Sequence, residues 1–313
     1  MTNRELYIQI CRDHPGVPVF ARPWWLDATG TNWDVAISRK GDMIRGIWAY
    51  PIEQKLGVTL IRNPFFTPYL GPSVFFPADI KEANKDAFEY DTIADLLQQL
   101  PPAQVWALAV QPELKQAGLF KRAGLQQSVQ QTFLIDLAAD EATLLSNMKE
   151  SLRKNLRQAA PEVNIIADNS LLPQMYVYYN SMLKRKGKGS YVAQAQLQRL
   201  HDACVANNSG TLWVAKTGDT IHGILWHVWD GHTSYALSVA QNPDSDNYKA
   251  MSLLLWHAIK EAKKMGHTHF DFEGSMDEGV ERFYRNFGGR RALYLILSKN
   301  TSPIWKLKQM LRG

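Results

Sequence analysis

Two carboxylates suited to acid–base chemistry stand two positions apart late in the chain. Asp271 and Glu273 belong to the run HFDFEG, in which polar and aromatic residues alternate. Alternation with a period of two is typical of a β-strand, here predicted over 268–272, and it places both carboxylates on one face. A partly desolvated carboxylate can take a proton from an ammonium group. Each carboxylate can instead cap the next helix or pair with Arg282 or Arg285.

A basic run lies in a helix predicted over 140–160. Its cations fall at spacings of three and four, which places them along one face of the helix. They are Lys149, Arg153, Lys154 and Arg157. Such a stripe favours the capture of a phosphate on a nucleotide-linked precursor, a lipid pyrophosphate or tRNA. The alternative is a helix face that is simply solvated.

Two shorter basic segments are further candidates for contact with anions. The run KRKGKG at 184–189 contains Lys186, and it either closes over an anionic substrate or remains a solvated loop. The run WKLKQMLR at 305–312 has the pattern of a short amphipathic helix. We expect it either to contact an anionic membrane surface peripherally or to dock on its own domain.

An internal repeat indicates how these residues are positioned. The run KGDMIRGI at 40–47 and the run TGDTIHGI at 217–224 share Gly, Asp, Ile, Gly and Ile in the same order and spacing. A Gly-Asp pair supplies positive-φ positions for a tight hairpin turn between strands. Phe120–Gly124 and Tyr284–Gly288 are a second matching pair, each typical of a helix end stopped by glycine. The repeats predict duplicated domains.

The order of predicted elements indicates an α/β (α+β) chain with mixed sheets flanked by helices. At 313 residues, with 45% hydrophobic residues, the chain is long enough for two domains, predicted at 1–136 and 137–313. Each domain contains one copy of the hairpin repeat. The second contains the carboxylates and the basic stripe.

Composition limits the classes of partner and compartment. The net charge of +5 suits an anionic, phosphate-bearing substrate, with tRNA among the candidates, and no DNA partner is expected. Two cysteines and eight scattered histidines form no disulfide framework and no metal site. The early residues contain no signal-peptide pattern, and no run approaches the roughly 20 apolar residues of a membrane span. We therefore expect a cytoplasmic protein without a bound metal.

Several runs together resemble a known family. The segment FDFEGS at 270–275 and the segment FYRNFGG at 283–289 resemble the core of the GNAT superfamily, and more narrowly the FemAB-like transferases. The basic run at 148–159, FARPWWL at 20–26 and TPYLGP at 67–72 extend this similarity over most of the chain. The resemblance implies two tandem GNAT-like domains. It also implies transfer from a thioester or an aminoacyl-tRNA to an amine, which in the FemAB branch belongs to a cell-wall peptide precursor.

The resemblance also assigns roles to particular residues. It implies that Tyr284 protonates the leaving group, that backbone N–H groups near the segment 239–241 stabilise the oxyanion, and that Tyr69 contacts substrate. Residues implied to hold the donor are Val239, Ala240, Gln241, Lys249 and Ala250. The donor is then acyl-coenzyme A or aminoacyl-tRNA, used as a co-substrate with no cofactor bound permanently.

One departure from the family pattern concerns coenzyme A. The loop before the helix predicted over 247–265 should be rich in glycine, so that its backbone can approach a pyrophosphate. Tyr248 stands where a glycine is expected, and Asp244 and Asp246 repel phosphate, although Lys249 supplies a positive charge. This weakens the case for coenzyme A without excluding it, and it leaves an aminoacyl-tRNA or an unusual donor open. A coenzyme A-dependent N-acyltransferase for small molecules, or a non-catalytic protein that binds anionic ligands, are the alternatives.

Overall fold

The computed structural model describes residues 1–112, 114, 116–189, 192–274 and 276–310. Residues 308–310 are described by their backbone only. The chain forms two compact units: Met1–Gln130 together with Leu293–Gly313, and Gln131–Ala292. These are called the first and second units below. They differ from the predicted domains in that residues 293–313 belong with the first unit. The boundaries at 1–136 and 137–313 stay a prediction.

The first unit contains two short sheets and five helices among the described residues. Its helices are α1 (Asn3–Asp13), α2 (Pro23–Thr29), α3 (Glu82–Gln99), α4 (Ala117–Arg122) and α11 (Pro303–Met310), with a 3-10 turn at Val19–Ala21. Its strands are β1 (Trp33–Lys40), β2 (Met43–Pro51), β3 (Glu53–Lys55), β4 (Val58–Arg62), β5 (Ser73–Val74) and β6 (Val105–Ala109). The later part of β13 (Arg290–Asn300) pairs with β6. A core that includes fully buried Trp48 holds α1 and α3 against the β1–β2–β5 sheet.

The second unit contains a single mixed sheet in the order β7-β12-β11-β10-β9-β8. Its strands are β7 (Gln126–Asp136, from Gln131 onward), β8 (Asn164–Ala167), β9 (Gly210–Thr217), β10 (Thr220–Trp229), β11 (Thr233–Gln241) and β12 (His269–Asp271). Its helices are α5 (Glu141–Asn147), α6 (Glu150–Ala159), α7 (Leu172–Arg185), α8 (Gln194–Ala206), α9 (Tyr248–Lys264) and α10 (Glu278–Arg285), with a 3-10 turn at Asn169–Leu171. Neighbouring strands are antiparallel except β11 and β12, which are parallel.

The α9 helix supplies much of the second unit's core, because its apolar residues recur at helical spacing. Leu254, Ala258 and Ile259 are fully buried against the sheet. The α6 helix adds Leu152 and Leu156 to the same cluster. The core therefore fixes α6 and α9 on one side of the sheet, close to the loop that joins β11 to α9.

The two Gly-Asp repeats form hairpin turns of the same kind. Lys40 pairs with Met43 across one turn and Thr217 pairs with Thr220 across the other, so each turn has two central residues. Gly41 and Gly218 have φ of +61° and +55°. The predicted hairpins are confirmed. The expectation that both turn residues take positive φ is wrong, since the aspartates do not, and this fits a turn that needs glycine only at its first central position.

Two predicted elements differ from the structure. The helix predicted over 140–160 is wrong as one element, because it breaks into α5 and α6 around Met148. The strand predicted over 268–272 ends at Asp271, and Glu273 then takes a left-handed backbone with φ of +57°. Gly288, at the end of the α10 turn, has φ of +81°, as the glycine stop predicted. Among the described residues, no helix is long and apolar enough to cross a membrane.

Candidate functional site

A gap opens in the second unit's sheet between β11 and β12. The two strands pair only from Thr233 opposite His269 to Tyr235 opposite Asp271, while β11 continues to Gln241. Within the described part of the chain, no strand pairs with this side of β11 beyond Tyr235. The later half of β11 therefore has an edge along which an extended ligand can bind.

A cavity of about 220 Å³ lies at the end of β11, among α6, α9 and α10. Its lining residues are Ser151, Leu152, Asn155, Gln241, Tyr248, Met251, Ser252, Phe283 and Asn286. Every one of these side chains is uncharged. Ser252 is only 1% exposed, and its Oγ has no hydrogen-bond partner among the described residues. The cavity thus presents hydroxyl and amide groups on apolar walls, which suits an uncharged polar ligand segment.

The first turn of α9 uses its own backbone amides. The N–H of Tyr248 donates to the carbonyl of Asp246 at 2.8 Å. The N–H of Ala250 donates to the carbonyl of Asn247 at 3.1 Å and to its Oδ1 at 3.3 Å. A helix N-terminus binds phosphate through amides that lack internal partners. Two of the first three amides here are already engaged, so this turn is poorly prepared to bind a pyrophosphate.

Side-chain charge around the same turn also opposes phosphate. Asp244 and Asp246 are exposed in the loop before α9. Lys249 is half-buried and is the single cation of the helix's first turn. Ala250 is fully buried, and Gln241 is the one member of the 239–241 segment that lines the cavity. The predicted donor-binding residues therefore surround a site with little positive charge.

Glu273 has the most perturbed environment among the predicted catalytic residues. Its Oε1 atom is buried and has no hydrogen-bond partner in the described part of the chain. Burial, and then the nearby charge of Asp271, raise the pKa of the Glu273 carboxyl well above its usual range. Its left-handed backbone costs about 1–3 kcal/mol for a residue other than glycine. A strained, desolvated carboxyl is typical of a functional position.

Asp271 is held inside the sheet and supports this geometry. It is 2% exposed, and its Oδ1 accepts hydrogen bonds from the Thr132 hydroxyl and, at 2.7 Å, from the N–H of Glu273. Arg282 pairs with Glu278, and Arg285 pairs with Glu281. The predicted alternative, in which these arginines pair with Asp271 or Glu273, is therefore wrong.

Tyr284 packs in the core of the second unit. It is 8% exposed, and its ring stacks on Phe272 with 4.7 Å between ring centroids. Burial and the charge of Glu273 raise the pKa of the Tyr284 phenol well above its usual range, so it stays protonated at neutral pH. Its neighbours Phe283 and Asn286 line the cavity, but Tyr284 itself does not. Its ring thus packs among the aromatic residues of the core, and its role as the proton donor stays a prediction.

The basic stripe faces away from the cavity. At about 100° per residue, the four cations of the stripe occupy one sector of α6, while Ser151, Leu152 and Asn155 occupy another. Arg153 donates to the carbonyl of Ser146 at 2.9 Å, so it caps the end of α5. Lys149, Lys154 and Arg157 are exposed, and no acidic side chain pairs with them among the described residues.

Two predicted substrate-binding residues have structural partners. The Lys186 Nζ lies 2.8 Å from the Oδ2 of Asp277, the residue that caps the start of α10. Tyr69 belongs to the first unit, where it is 3% exposed and lies edge-on to Tyr294 with 5.0 Å between centroids. Their predicted roles in substrate binding stay predictions.

Neither cysteine is suited to covalent catalysis. Cys11 and Cys204 are both buried and unbonded to each other. Burial raises the pKa of Cys11 to about 11, and it also raises the pKa of Cys204. Both thiols are therefore protonated at neutral pH, whereas the thiolate is the nucleophile. In the described part of the chain, no group of three or more His, Cys, Asp or Glu side chains could hold a metal ion.

The sequence-based predictions did not include the polar residues that line the cavity. Ser151 and Asn155 lie within the basic run, where only the charged residues were chosen, and Asn286 lies within FYRNFGG. Ser252 has no distinguishing pattern around it. The signal for the first three was their place in family-like motifs, and only the structure shows that they share a cavity.

These features agree with a family comparison. Residues 144–284 match the family described as an acetyltransferase (GNAT) domain. The segment is a GNAT domain. It includes the β11–β12 gap, the first turn of α9 and the cavity. No curated protein matches the chain in sequence.

Solved structures extend the similarity beyond the GNAT domain. FemX superposes with a TM-score of 0.69 at 13% identity, over 94% of this chain and 96% of that one. The C-terminal domain of an Agrobacterium fabrum protein assigned as a lysylphosphatidylglycerol synthetase gives a TM-score of 0.55 at 13% identity, over 92% and 89%. A tandem GNAT protein from the clavulanic acid pathway gives 0.52 at 9% identity, over 94% and 92%. The predicted fold, two GNAT-like domains in tandem, is confirmed.

Proposed function

We propose that this GNAT protein transfers an aminoacyl group from aminoacyl-tRNA onto an amine. The choice of donor rests on the backbone amides and side-chain charges at the first turn of α9. Its amides are engaged internally and its approach is lined by Asp244 and Asp246. A donor bound through a pyrophosphate would meet repulsion there, whereas the reacting end of an aminoacyl-tRNA is an uncharged ester whose amino acid carries an ammonium group, which these carboxylates do not repel.

The similarity of fold to FemX and to a lysylphosphatidylglycerol synthetase domain supports an aminoacyl donor. The uncharged cavity, with Ser252 and Asn155 on its wall, has hydrogen-bonding groups for the ester and the amino acid. Its volume of about 220 Å³ suits a small aminoacyl group rather than a long acyl chain. The proposal therefore includes that the transferred group is a small aminoacyl group.

The transfer is direct. The acceptor nitrogen attacks the ester carbonyl carbon, the new C–N bond forms, and the bond from carbon to the ribose oxygen breaks. Glu273 takes the proton that the ammonium loses before attack. Tyr284 gives its proton to the departing oxygen and takes the second proton that the nitrogen loses on becoming an amide, so the phenol is restored and one proton leaves through Glu273. N–H groups of β11 near Ala240 stabilise the oxyanion. A Tyr284→Phe variant with full turnover would remove the phenol from this mechanism.

We further propose that the acceptor is a phosphate-bearing precursor, such as a nucleotide-linked cell-wall peptide with a free amine. Lys149, Lys154 and Arg157 are exposed cations with no acidic partner among the described residues, and they can bind its phosphates. Because they lie on the side of α6 opposite the cavity, the acceptor must be long enough to extend around the helix to the reacting ester. Replacing Lys154 with Gln should then weaken the acceptor's binding and lower its sensitivity to salt.

A coenzyme A-dependent N-acyltransferase is the second candidate, because the family that matches residues 144–284 is described as an acetyltransferase. Calorimetry with acetyl-coenzyme A and with an aminoacyl-tRNA distinguishes the two. We expect micromolar binding of the tRNA and none of acetyl-coenzyme A. Asn155→Leu, which removes an amide from the cavity wall, should weaken aminoacyl-dependent binding, while Gln158→Leu on the same helix should not. Micromolar binding of acetyl-coenzyme A alone would overturn the proposal.

A further inference from the structure

The segment that contains α11 has charge of one sign. Residues 293–313 include Lys299, Lys306, Lys308 and Arg312, and they include no Asp or Glu. Lys308 and Arg312 are known here only from the sequence, because their side chains lie outside the described residues. The segment as a whole is therefore cationic, which favours contact with an anionic partner.

The α11 helix is fixed to the first unit by one large side chain. Trp305 is 9% exposed and packs in a cluster with Val58, Leu60 and Val105. Ser302, just before the helix, accepts a hydrogen bond from the N–H of Trp305 at its Oγ, at 3.2 Å. These contacts hold one face of the helix on strands β4 and β6. The opposite face is therefore presented in a defined orientation.

That opposite face is apolar. Ile304 is 55% exposed and Leu307 is 60% exposed, and residues three apart are neighbours on a helix surface. Lys306 is exposed beside them. At about 100° per residue, Leu307 lies between Ile304 and Lys306 around the helix, so these three side chains give a small surface that is both apolar and cationic. Such a surface fits the boundary between phospholipid headgroups and acyl chains, because lysine can extend its charge to the headgroups.

We propose that this face of α11, formed by Ile304, Lys306 and Leu307, binds the surface of an anionic phospholipid bilayer. The aliphatic pair enters the acyl boundary and Lys306 lies at the headgroups. A second copy of the chain fits less well, because a symmetric contact would bring Lys306 of each copy close to that of the other. The binding is weak and reversible, since only two aliphatic side chains enter the bilayer.

The test is sedimentation of the purified full-length chain with vesicles, without donor or acceptor. Phosphatidylcholine vesicles that contain phosphatidylglycerol should bind it, and vesicles of phosphatidylcholine alone should not. Ile304→Ser and Leu307→Ser should each weaken binding about tenfold. Lys306→Gln should weaken it by a smaller factor and reduce its sensitivity to salt. Val177→Ser, which changes a 56% exposed aliphatic residue of α7, is the matched control.

The controls keep the outcomes distinct. Circular dichroism should show that the serine variants retain the fold, because Trp305 still anchors α11. Binding that is unchanged in the Ile304→Ser/Leu307→Ser double variant would overturn the proposal. Failure of the unmodified chain to bind anionic vesicles would also overturn it. In that case, a dimer in solution that the double variant dissociates would indicate that a second copy of the chain covers this face. None of these measurements depends on transferase activity. The proposal of membrane binding and the proposal of aminoacyl transfer can therefore be refuted independently.

Discussion

His227 is a fully buried histidine whose protonation should weaken the second unit. Its Nδ1 accepts a hydrogen bond from the Trp213 indole N–H at 3.1 Å, and its Nε2 has no partner among the described residues. Burial, with smaller contributions from the charges of His267 and His257, lowers its pKa from 6.5 to about 3. The folded state therefore resists protonation at a pH where the unfolded chain accepts a proton.

The magnitude follows from these two pKa values. Because the folded pKa is depressed, the stabilisation is complete above pH 6.5 and is lost as the pH falls from 6.5 towards 3. Between about pH 7.5 and about pH 5, His227 alone should lower the free energy of unfolding by about 2 kcal/mol. The asparagine variant His227→Asn keeps an acceptor for Trp213 and removes the titration. This variant should be less stable than the unmodified chain at neutral pH. Between about pH 7.5 and about pH 5, however, its free energy of unfolding should fall by about 2 kcal/mol less than that of the unmodified chain.

Urea denaturation at both pH values, followed by circular dichroism, measures this difference. The matched control is His232→Asn, which changes an exposed histidine in the turn before β11. We expect the control to show the same pH dependence as the unmodified chain. If His227→Asn loses as much stability on acidification as the unmodified chain, His227 is not held neutral by burial, and this explanation is wrong.

Three further predictions concern the site and its support. Glu273→Gln should lower turnover about 100-fold. It should also stabilise the fold at neutral pH but not below the ordinary carboxyl pKa of 4.5. The reason is that the pKa of Glu273 is raised in the folded state, so ionisation of this carboxyl opposes folding. Denaturation at several pH values tests whether the variant is more stable than the unmodified chain at neutral pH. Gly288→Ala should cost about 2 kcal/mol or more in thermal unfolding, because a Cβ would lie 2.4 Å from the Asn147 carbonyl oxygen. Gly218→Ala, with open space around the Cβ, should cost about 1 kcal/mol, and equal costs would refute the packing argument. Arg153→Met should lower the melting temperature through loss of the α5 cap, and an unchanged value would leave Arg153 available for substrate.

The duplicated hairpins could be predicted because their signal is local. A glycine needed for positive φ, followed by a polar residue between two apolar strands, specifies the same turn at Gly41 and at Gly218. The Gly288 stop was predictable for the same reason. Family-like runs then indicated which half holds the transferase domain. These features depend on neighbouring residues in sequence, which a single chain displays directly.

Features that depend on distant residues could not be predicted. The break between α5 and α6 has no proline or glycine, and the N–H of Lys149 donates there to the carbonyl of Asn286 at 2.9 Å. The left-handed backbone of Glu273 is imposed where Gly274 packs against the backbone of Gln131. The cavity joins α6, α9 and α10. Its uncharged wall depends on which face of α6 turns inward, and spacing alone favoured the cationic face.

The most direct measurement is transfer itself. The purified chain is incubated with aminoacyl-tRNA that carries an isotopically labelled amino acid and with a nucleotide-linked cell-wall peptide that has a free amine, and the product is weighed by mass spectrometry. We predict a peptide heavier by one labelled residue, and loss of that product in Glu273→Gln. Absence of this product, together with acylation of the same amine from acetyl-coenzyme A, would contradict the assignment of the donor.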